Sequence, residues 1–357
     1  MILEKGTGVP NYVVYLYRKC LETDPANQYI FFQPNQSRTL GVTQVAHTPR
    51  GLLGAAWFDC LRVQRLIRRA NLDVFHGPSH FLPLWKLAGV KYVVTIHDVS
   101  FRVMPEQYDW KHRWYFGWQL ARSLKMADAV VAVSENTKRD LMRFYGLPEE
   151  RIHVVYHGVA EHFLRGSGAP GERLIGDKYF FSVTTHPTRK NVLGALKAFA
   201  TFAGQGGLKY VIAGVIGEQQ RQELFASADR LGIRDKIELF GYADDNQLVN
   251  LYQHAEFLIY PSFYEGFGFP AVEAMACGCP VIASNTSSLP ELMPDKDWLV
   301  DPYDPADMAD KMQRLLALSP DGRQAVIEKN QKHARNFTWD KTARQMVEIF
   351  VQLQTAK

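Results

Sequence analysis

Short apolar runs that recur along the chain limit its fold more than any other feature of the sequence. Each run is rich in Val, Ile, Tyr and Phe, ends at turn residues and is followed by a segment with helical periodicity. Nearly continuous apolar strands are typical of parallel sheets that are buried on both faces. The sequence therefore predicts an α/β chain with doubly wound parallel sheets. The runs are NQYIFFQ (27–33), VFHGP (74–78), KYVVTIHD (91–98), ADAVVAVS (127–134), RIHVVYHG (151–158), YFFSVT (179–184), KYVIAG (209–214), KIELFG (236–241), AEFLIYPS (255–262) and PVIAS (280–284).

The length of 357 residues and one irregular segment divide the chain into two predicted domains. Residues 158–178, GVAEHFLRGSGAPGERLIGDK, are rich in Gly, Pro and charge and lack periodicity, as linkers do. We predict a first Rossmann-like domain over residues 1–165, a second over 166–335, and a final helix over 336–357 that crosses back to the first domain. The cleft between two such domains is the expected ligand site.

The start of the chain fits this pattern poorly. A glycine-rich turn in a doubly wound domain normally follows a full strand, yet only about three apolar residues precede Gly6. Either the first strand is truncated or missing, or the natural start lies upstream of Met1. As a dinucleotide-binding fingerprint GTGVPN also fails, because position 11 is Asn and the next run, YIFFQPNQS, has no acidic residue to bind a ribose. A nicotinamide-dependent oxidoreductase is therefore disfavoured.

Composition indicates a soluble globular protein, with 46% apolar and 22% charged residues. No apolar run approaches the roughly 20 residues of a membrane-spanning helix, and no secretory signal is visible. The cysteines offer neither a disulfide framework nor a paired metal-binding motif, and the last two lie in an apolar segment typical of packed thiols. We therefore expect a reducing, cytoplasmic location. The cysteines are Cys20, Cys60, Cys277 and Cys279.

Positive charge is concentrated in the first 165 residues but forms no dense Lys/Arg run, so no nucleic-acid partner is expected. Two segments there combine cations with apolar residues. RVQRLIRRA (62–70) places Arg62, Arg65 and Arg69 on one helical face, and KHRWYFGW (111–118) interleaves basic and aromatic residues. Both fit a protein that rests peripherally on an anionic membrane surface, and both fit equally well a solvated face and an ordinary packed helix.

The stretch EGFGFPAVE (265–273) places two carboxylates around a glycine-rich turn. The proline between them favours a helix start. Glu265 is therefore predicted in a strand-to-helix loop and Glu273 in the first helical turn, where the helix dipole favours a negative charge by roughly 0.3–1 kcal/mol. Gly266 and Gly268 let backbone N–H groups approach a ligand closely, and the helix start adds a site for an anion. Two carboxylates would repel a phosphate, so we expect them to face the hydroxyl groups of a sugar.

The segment EGFGFPAVEAMACGCPVIAS closely resembles the Glu-x7-Glu signature of family GT4, the retaining glycosyltransferases that use nucleotide sugars and have the GT-B fold. That fold implies two Rossmann-like domains whose parallel sheets face each other across a cleft. The combination of TRKN with EGFGFP is similar to mannosyltransferases of O-antigen pathways. Further matching segments cover nearly the whole chain: TIHDVSF (95–101), VSENTKRDL (133–141), THPTRKN (185–191), SLPEL (288–292) and NFTWDKTARQMVEIF (336–350).

The resemblance implies how the second domain holds its donor. Glu273 would bind the ribose hydroxyls of the nucleotide, and Glu265 would bind the transferred sugar. The backbone amides of Gly266, Phe267 and Gly268 would meet the hydroxyls or the phosphate of the donor.

The resemblance also implies where positive charge comes from. Arg189 and Lys190 would neutralise the diphosphate as it leaves, so that no metal and no other cofactor is needed. Many family members carry a further arginine at the position of Thr184. Here Arg189 would take more of that role, or the threonine hydroxyl would donate a hydrogen bond to the phosphate.

In the first domain the resemblance implies contacts to the donor and the acceptor. Gly6 and Gly8 resemble the glycine-rich loop that faces the donor diphosphate. His97, at the end of a strand, would contact the transferred sugar. Asp98 would fix its own loop or contact the acceptor.

The function implied is that of a retaining glycosyltransferase. It would move a hexose, with mannose from GDP-mannose as first choice, to a saccharide or lipid-linked saccharide acceptor in surface polysaccharide biosynthesis. The second domain would bind the donor and the first the acceptor, with front-side attack and the departing phosphate taking the acceptor's proton. UDP-glucose, UDP-GlcNAc and a deoxyhexose donor remain alternatives, as does a catalytically silent sugar-nucleotide-binding or scaffold protein of the same fold.

Overall fold

A computed structural model of the chain describes residues 8–33, 44–45, 63–165, 171–204 and 207–355. The chain divides into two compact units, one formed by residues 1–158 with 338–357 and the other by 159–337. Sequence patterns placed these limits at 165/166 and 335/336. Among the helices of the described ranges, none has the length and apolar character needed to cross a bilayer.

The first unit is built on a four-stranded parallel sheet in the order β3-β4-β5-β6. All four strands lie within predicted apolar runs, and residues in β4 and β5 are almost completely buried. A separate parallel pair consists of β1 and β2, so the run 27–33 forms a strand only at its last two residues. The strands are β1 (Phe32–Gln33), β2 (Gln44–Val45), β3 (Val74–Gly77), β4 (Lys91–Ile96), β5 (Ala129–Ala132) and β6 (Ile152–Val154).

The second unit contains a six-stranded parallel sheet in the order β12-β11-β10-β7-β8-β9. This order is that of a Rossmann sheet, in which the direction of strand progression reverses between β7 and β10. Five of the strands lie within predicted apolar runs, and the two-residue strand β12 was not predicted. The strands are β7 (Tyr179–Val183), β8 (Lys209–Ala213), β9 (Ile237–Gly241), β10 (Leu258–Tyr260), β11 (Val281–Ser284) and β12 (Leu299–Val300).

Helices alternate with these strands and are capped by local sequence signals. Ser134, for example, accepts a hydrogen bond from the Thr137 N–H at 3.0 Å, and Gly146 ends the same helix in a left-handed conformation. The helices are α1 (Val9–Thr23), α2 (Val63–Ala70), α3 (Ser100–Val103), α4 (Trp110–Met126), α5 (Glu135–Tyr145), α6 (Glu161–Arg165), α7 (Val192–Ala200), α8 (Glu218–Arg230), α9 (Asp245–His254), α10 (Phe269–Ala276), α11 (Leu289–Leu292), α12 (Pro305–Leu316), α13 (Pro320–Ala334) and α14 (Trp339–Thr355).

The last helix, α14, packs against α1 within the first unit. The rings of Tyr15 and Trp339 are stacked with centroids 5.6 Å apart, and Lys19 lies 3.6 Å from Asp340. Gly158 allows the chain to pass close to the start of α14, because a Cβ atom there would lie 2.2 Å from the Trp339 nitrogen. The end of the chain is therefore a structural part of the first unit.

The segment 158–178, expected as a linker, is partly regular structure. Its helix α6 buries Phe163, whose carbonyl accepts a hydrogen bond from the Cys277 thiol at 3.6 Å. The Val159 N–H donates to the Phe337 carbonyl at 2.9 Å. The expectation of a plain linker is wrong for residues 159–165, because an apolar Phe within a charged stretch finds a packing site in the second unit.

Candidate functional site

The candidate site lies where the strand order of the second unit reverses. Leu258 of β10 pairs with Phe181 of β7, so the loops after these two strands leave the same edge of the sheet side by side. A crevice at this point is the usual ligand site of a Rossmann sheet. The Phe263 N–H donates to the Arg189 carbonyl at 3.0 Å and ties the two loops together. Residues 184–191 and 261–268 thus form one site.

A buried ion pair forms the centre of this site. The Lys190 Nζ lies 3.1 Å from the Glu265 Oε1, and the two side chains are only 11% and 9% exposed. The Lys190 Nζ also donates to the Tyr260 hydroxyl and lies 4.4 Å from the centroid of that ring. Lys190 is therefore held by three features at once: a carboxylate, a hydroxyl and an aromatic face.

Electrostatics favour ionised groups in this pair. Burial acts to raise the pKa of Glu265, but the nearby Lys190 and Arg189 outweigh it, so that this pKa lies below its ordinary value. Burial, assisted by Arg189, lowers the pKa of Lys190, whereas Glu265 opposes that shift. Because two cations hold Glu265 ionised, the pair is a carboxylate with a charged ammonium. Two cations beside one carboxylate leave a net positive charge, which favours an anionic ligand.

Two serines fix the backbone of the loop that carries Glu265. The Glu265 N–H donates to the Ser287 hydroxyl at 3.0 Å. The buried Ser288 hydroxyl lies within hydrogen-bond distance of two carbonyls, those of Glu265 at 2.9 Å and Phe267 at 2.6 Å. Of these two serines only Ser288 lies in a segment that resembles the family, and the sequence predicted no role for either. Their position directly after β11, the neighbour of β10, is the signal that could have identified them.

Gly268 shapes the turn from this loop into helix α10. Its φ angle is 118°, which L side chains rarely adopt, and a Cβ atom there would lie 2.6 Å from the Leu289 side chain. The helix begins at Phe269 with Pro270 in its first turn, as predicted. The backbone conformation and the close contact with Leu289 therefore both require glycine at position 268, whatever its role toward a ligand.

The expectation that Glu273 lies in the first helical turn is wrong. Because α10 begins at Phe269, Glu273 is its fifth residue, and the first turn contains no acidic side chain. The Tyr252 hydroxyl donates to the Glu273 Oε2 at 3.2 Å. Burial is the main cause that raises the pKa of Glu273 to about 7, Tyr252 opposes the shift, and Asp245 adds to it. This carboxyl group is therefore poised to gain or lose a proton near neutral pH.

Thr184 is buried at the end of β7, and its hydroxyl accepts a hydrogen bond from the His186 N–H at 3.0 Å. Gly214 allows the neighbouring strand end to approach, because a Cβ atom there would lie only 1.8 Å from the Thr184 carbonyl oxygen. Thr184 is thus part of the turn that leads to Arg189. Its contact with a phosphate stays a prediction.

His97 lies in the first unit, directly after β4 and half-buried. Its Nε2 is 2.8 Å from the Pro78 carbonyl, to which it donates. Its ring lies 5.5 Å from that of His80 and 5.4 Å from that of His157. Burial first, then the charge of His80, lower the pKa of His97 to about 3. The imidazole is therefore neutral near neutral pH.

The histidines around His97 were not predicted from the sequence. His76 bridges the Tyr17 hydroxyl at 2.6 Å and the Thr95 hydroxyl at 2.8 Å, and burial lowers its pKa to about 3. His76 lies in β3, His97 follows β4 and His157 follows β6. Since these are parallel strands of one sheet, their shared edge was the signal that could have predicted the cluster.

The first unit also encloses a cavity of about 700 Å³ beside this cluster. His76 and Tyr17 form part of its wall, and most of the remaining lining is apolar, including Phe31, Leu72 and Phe350. The cavity therefore combines an apolar wall with amide and carboxylate side chains, among them Asn27, Asp24 and Asp73.

Asp98 and Gly8 complete the predicted residues of the first unit. The Asp98 Oδ1 accepts from the Ser100 N–H at 2.9 Å and hydroxyl at 2.7 Å, so the prediction that it fixes its loop is confirmed. Gly8 is exposed, has a φ angle of 73° and precedes α1. Gly6 lies outside the described residues, so the role of the glycine-rich loop stays a prediction.

Cysteines and metal ligands add no second site to the described ranges. Cys20, Cys277 and Cys279 are buried free thiols whose pKa values burial raises, as expected for packed thiols, while Cys60 lies outside those ranges. Over the same residues no group of three or more His, Cys, Asp or Glu side chains is arranged to hold a metal ion. A reaction without metal or other cofactor stays a prediction.

Comparison with known proteins gives this geometry a family. Residues 8–163 match the model of Glycosyltransferase Family 4, and residues 171–333 match that of Glycosyl transferases group 1. The O-antigen chain mannosyltransferase B of Escherichia coli is 29% identical over 288 residues, which are 78% of this chain and 74% of that protein.

Solved structures agree on the fold. A glycosyltransferase from Rickettsia africae has a TM-score of 0.75 at 18% identity, with 99% of this chain and 96% of that chain covered. Anabaena HepE in complex with UDP-glucose has a TM-score of 0.72 at 17% identity, with 98% and 97% covered. This chain has two parallel-sheet Rossmann-like domains, and its structural neighbours are GT-B glycosyltransferases. The chain is therefore a GT-B glycosyltransferase, with a Glycosyltransferase Family 4 segment followed by a Glycosyl transferases group 1 segment.

Proposed function

We propose that this glycosyltransferase transfers mannose from GDP-mannose, with retention of configuration, to a saccharide or lipid-linked saccharide acceptor during surface polysaccharide synthesis. The observation that carries the transfer chemistry is the buried Lys190–Glu265 pair beside Arg189 at the reversal point of the second sheet. The choice of mannose is supported by the Escherichia coli relative, which is named as an O-antigen chain mannosyltransferase. A nucleotide-sugar donor is supported by the neighbour solved with UDP-glucose.

In this proposal the cations act on the leaving group. Negative charge grows on the diphosphate as its bond to the sugar breaks, and fixed cations in a water-poor site stabilise that charge without having to reorganise. Arg189 presents a planar set of donors suited to phosphate, and Lys190 adds a compact charge held in place by Glu265 and Tyr260. This arrangement supplies the charge that a metal ion would otherwise provide.

The two glutamates meet hydroxyl groups. Glu265, ionised and already paired on one oxygen with Lys190, has its carboxylate available to accept from a sugar hydroxyl. Glu273 receives the ribose hydroxyls of the nucleotide and becomes an anion when they donate to it. Backbone amides of residues 266–268 contact the donor where Gly268 turns the chain into α10.

The strand ends of the first unit supply neutral imidazoles. His97 is neutral and contacts the transferred sugar through hydrogen bonds, and the other strand ends of that sheet present further neutral imidazoles. Attack from the front face requires no enzyme nucleophile, and the departing phosphate takes the acceptor's proton. The acceptor binds to the first unit, which also associates peripherally with the cytoplasmic face of an anionic membrane.

A thermal-shift panel with GDP, UDP and ADP tests the donor, since a ligand that binds only the native state raises the melting temperature. We expect GDP to give the largest shift and Glu273→Ala to reduce it. Transfer of labelled mannose from GDP-mannose to an alkyl α-mannobioside then tests the reaction. A larger shift with UDP would replace the proposed donor, and binding without transfer to any mannoside would favour a silent sugar-nucleotide-binding protein.

A further inference from the structure

Helix α4 carries a row of outward-facing indoles. Trp110, Trp114 and Trp118 follow one another at steps of four residues, and they are 67%, 68% and 49% exposed. Side chains at this spacing lie along one face of a helix. The opposite face is buried and includes Leu120 and Leu124. Within the described part of the unit each of these indoles leaves about half or more of its surface open to solvent, and an exposed apolar row of this size marks an interaction surface.

The same helix is strongly cationic. It contains Lys111, Arg113, Arg122 and Lys125 and no acidic residue. Two of these cations lie beside the indoles: the Lys111 Nζ is 5.7 Å from the Trp110 ring, and the Arg122 Cζ is 5.7 Å from the Trp118 ring. The nearest carboxylate along the chain, Asp109, caps the first turn of the helix through the His112 N–H.

A fourth exposed indole lies on a loop that is tied to this helix. Arg122 donates to the Leu82 carbonyl at 2.7 Å, and the Ser123 hydroxyl accepts from the Leu82 N–H at 2.9 Å. Trp85, three residues further along, is 47% exposed. The cationic helix and this loop therefore form one rigid piece rather than two independent segments.

We propose that the exposed row Trp110, Trp114 and Trp118, with the cations of α4, is a docking surface for the headgroup region of an anionic lipid bilayer. Indole rings favour that region because their apolar body and polar N–H can both be satisfied there. Anionic headgroups complement the helix's cations, and cations close to such a surface add to its attraction. A neutral polysaccharide could stack on the indoles, but it would make no use of the charges of Lys111, Arg113 and Lys125. The proposal gives the peripheral membrane association of the proposed function a defined surface, and it rests on that function for its purpose, which is to bring the protein to a lipid-linked acceptor.

Vesicle binding by the full chain tests the surface. Sedimentation with vesicles of phosphatidylcholine alone is compared with vesicles that also contain phosphatidylglycerol. We expect wild type to bind the anionic vesicles at least about tenfold more strongly, with a blue shift of Trp emission and a loss of binding at high salt. The combined substitution Trp110→Ala, Trp114→Ala and Trp118→Ala should lower that binding by about tenfold or more.

Two further variants separate vesicle binding by the docking surface from vesicle binding by other parts of the protein. Lys111→Gln with Arg113→Gln should keep the indoles but lose most of the preference for anionic vesicles. Tyr242→Ala removes a side chain that is 62% exposed in the second unit and should bind vesicles as wild type does. The melting temperature of each variant and its shift with GDP report on folding and on the nucleotide site.

The outcomes are distinct. Equal vesicle binding by wild type and the triple Trp variant would overturn the proposal, as would binding by neither vesicle type. A different result would assign the row to a glycan: wild type binds a neutral mannan but no vesicles, and the triple Trp variant does not bind the mannan. Vesicle binding that follows the expected pattern in a protein without any GDP shift would keep this surface and reject the proposed function.

Discussion

The carboxyl ends of the two parallel sheets provide opposite electrical environments. In the second unit the loops after β7 and β10 gather Arg189, Lys190 and Glu265 as ionised groups, two of them 3.1 Å apart. In the first unit the strand ends gather imidazoles, and burial lowers the pKa of His76 and His97 to about 3. The side chains gathered at one sheet edge stay ionised, whereas the imidazoles gathered at the other are neutral near neutral pH.

The difference follows from how each group tolerates burial. An ionised carboxylate or ammonium is stable away from water only with a partner, whereas an imidazole can release its proton instead. In the second unit the buried carboxylate of Glu265 holds Lys190 in place. A reaction whose charge develops on a leaving group needs fixed charge at one end and only neutral hydrogen-bonding groups at the other.

Removal of Lys190 should have the largest effect on this contrast. Lys190→Ala leaves Glu265 buried without its ammonium partner, so we expect the free energy of unfolding of the second unit to fall by about 3 kcal/mol. Transfer should fall by about 100-fold or more. Urea denaturation and the mannose-transfer assay measure the two losses.

Two controls accompany Lys190→Ala. Lys197→Ala removes an exposed lysine from α7 and should change neither quantity. Tyr260→Phe removes only the hydroxyl that accepts from Lys190 and should cause a smaller loss of about 1 kcal/mol. If Lys190→Ala were as stable and as active as Lys197→Ala, the pair would not be the centre of a charged site.

Acidification should act on His76 and His97 in the first unit and on Glu273 in the second with opposite signs. His76 and His97 have folded pKa values of about 3, below the ordinary 6.5, so the unfolded chain takes up protons first. Each therefore lowers the stability of the first unit by up to about 1.4 kcal/mol per pH unit as the pH falls below about 6.5. Glu273, with a folded pKa of about 7 against 4.5, instead favours the folded second unit as the pH falls between those values.

Hydrogen exchange of β4 and β11 peptides between about pH 7 and pH 5 measures this difference. We expect protection of β4 to fall more than that of β11, and His97→Gln to reduce the fall in β4. An equal fall of β4 protection in wild type and His97→Gln, or greater protection of β4 at the lower pH, would show that His97 is not held neutral by burial.

Many of the strands, though not this electrical contrast, could be predicted from the sequence. Continuous apolar runs predicted ten of the described strands, although β1 forms at only two residues of its run, because burial on both faces produces a clear local pattern. Lys190 and Glu265 are far apart in sequence, and each looked like a separate contact to the donor. Their pairing depends on β7 and β10 being neighbours, which no local pattern encodes.

The environment of Glu273 could not be predicted either, because it depends on the exact start of α10 and on burial. Glu273 was placed in the first turn because Pro270 marks helix starts, but the conformation of Gly268 begins the helix one residue earlier. The proton affinity of Glu273 then depends on burial beside Tyr252 and Asp245, from another helix. Spacing within one motif contains neither fact.

A smaller effect is expected in the pH dependence of nucleotide affinity. If ribose hydroxyls donate to Glu273, GDP binding favours the carboxylate and releases a proton, so GDP affinity should rise by about tenfold as the pH increases through about 7. Glu273→Gln should remove this dependence. Calorimetry in two buffers with different ionisation enthalpies counts the protons released.

The exposed Gln219→Ala variant is the control for that titration and should behave as wild type does. A wild-type affinity that is constant between about pH 6 and pH 8 would place the ribose elsewhere.

The most direct test of the account is the rate of mannose transfer by Arg189→Ala measured beside its affinity for GDP. We expect kcat to fall by about 100-fold while the Kd for GDP changes by less than about tenfold, because the guanidinium acts mainly on charge that develops in the transition state. Arg221→Ala, which removes an exposed arginine of α8, should retain wild-type values of both. An unchanged kcat in Arg189→Ala, or a loss wholly explained by weaker GDP binding, would contradict the claim that this charged sheet edge drives departure of the diphosphate.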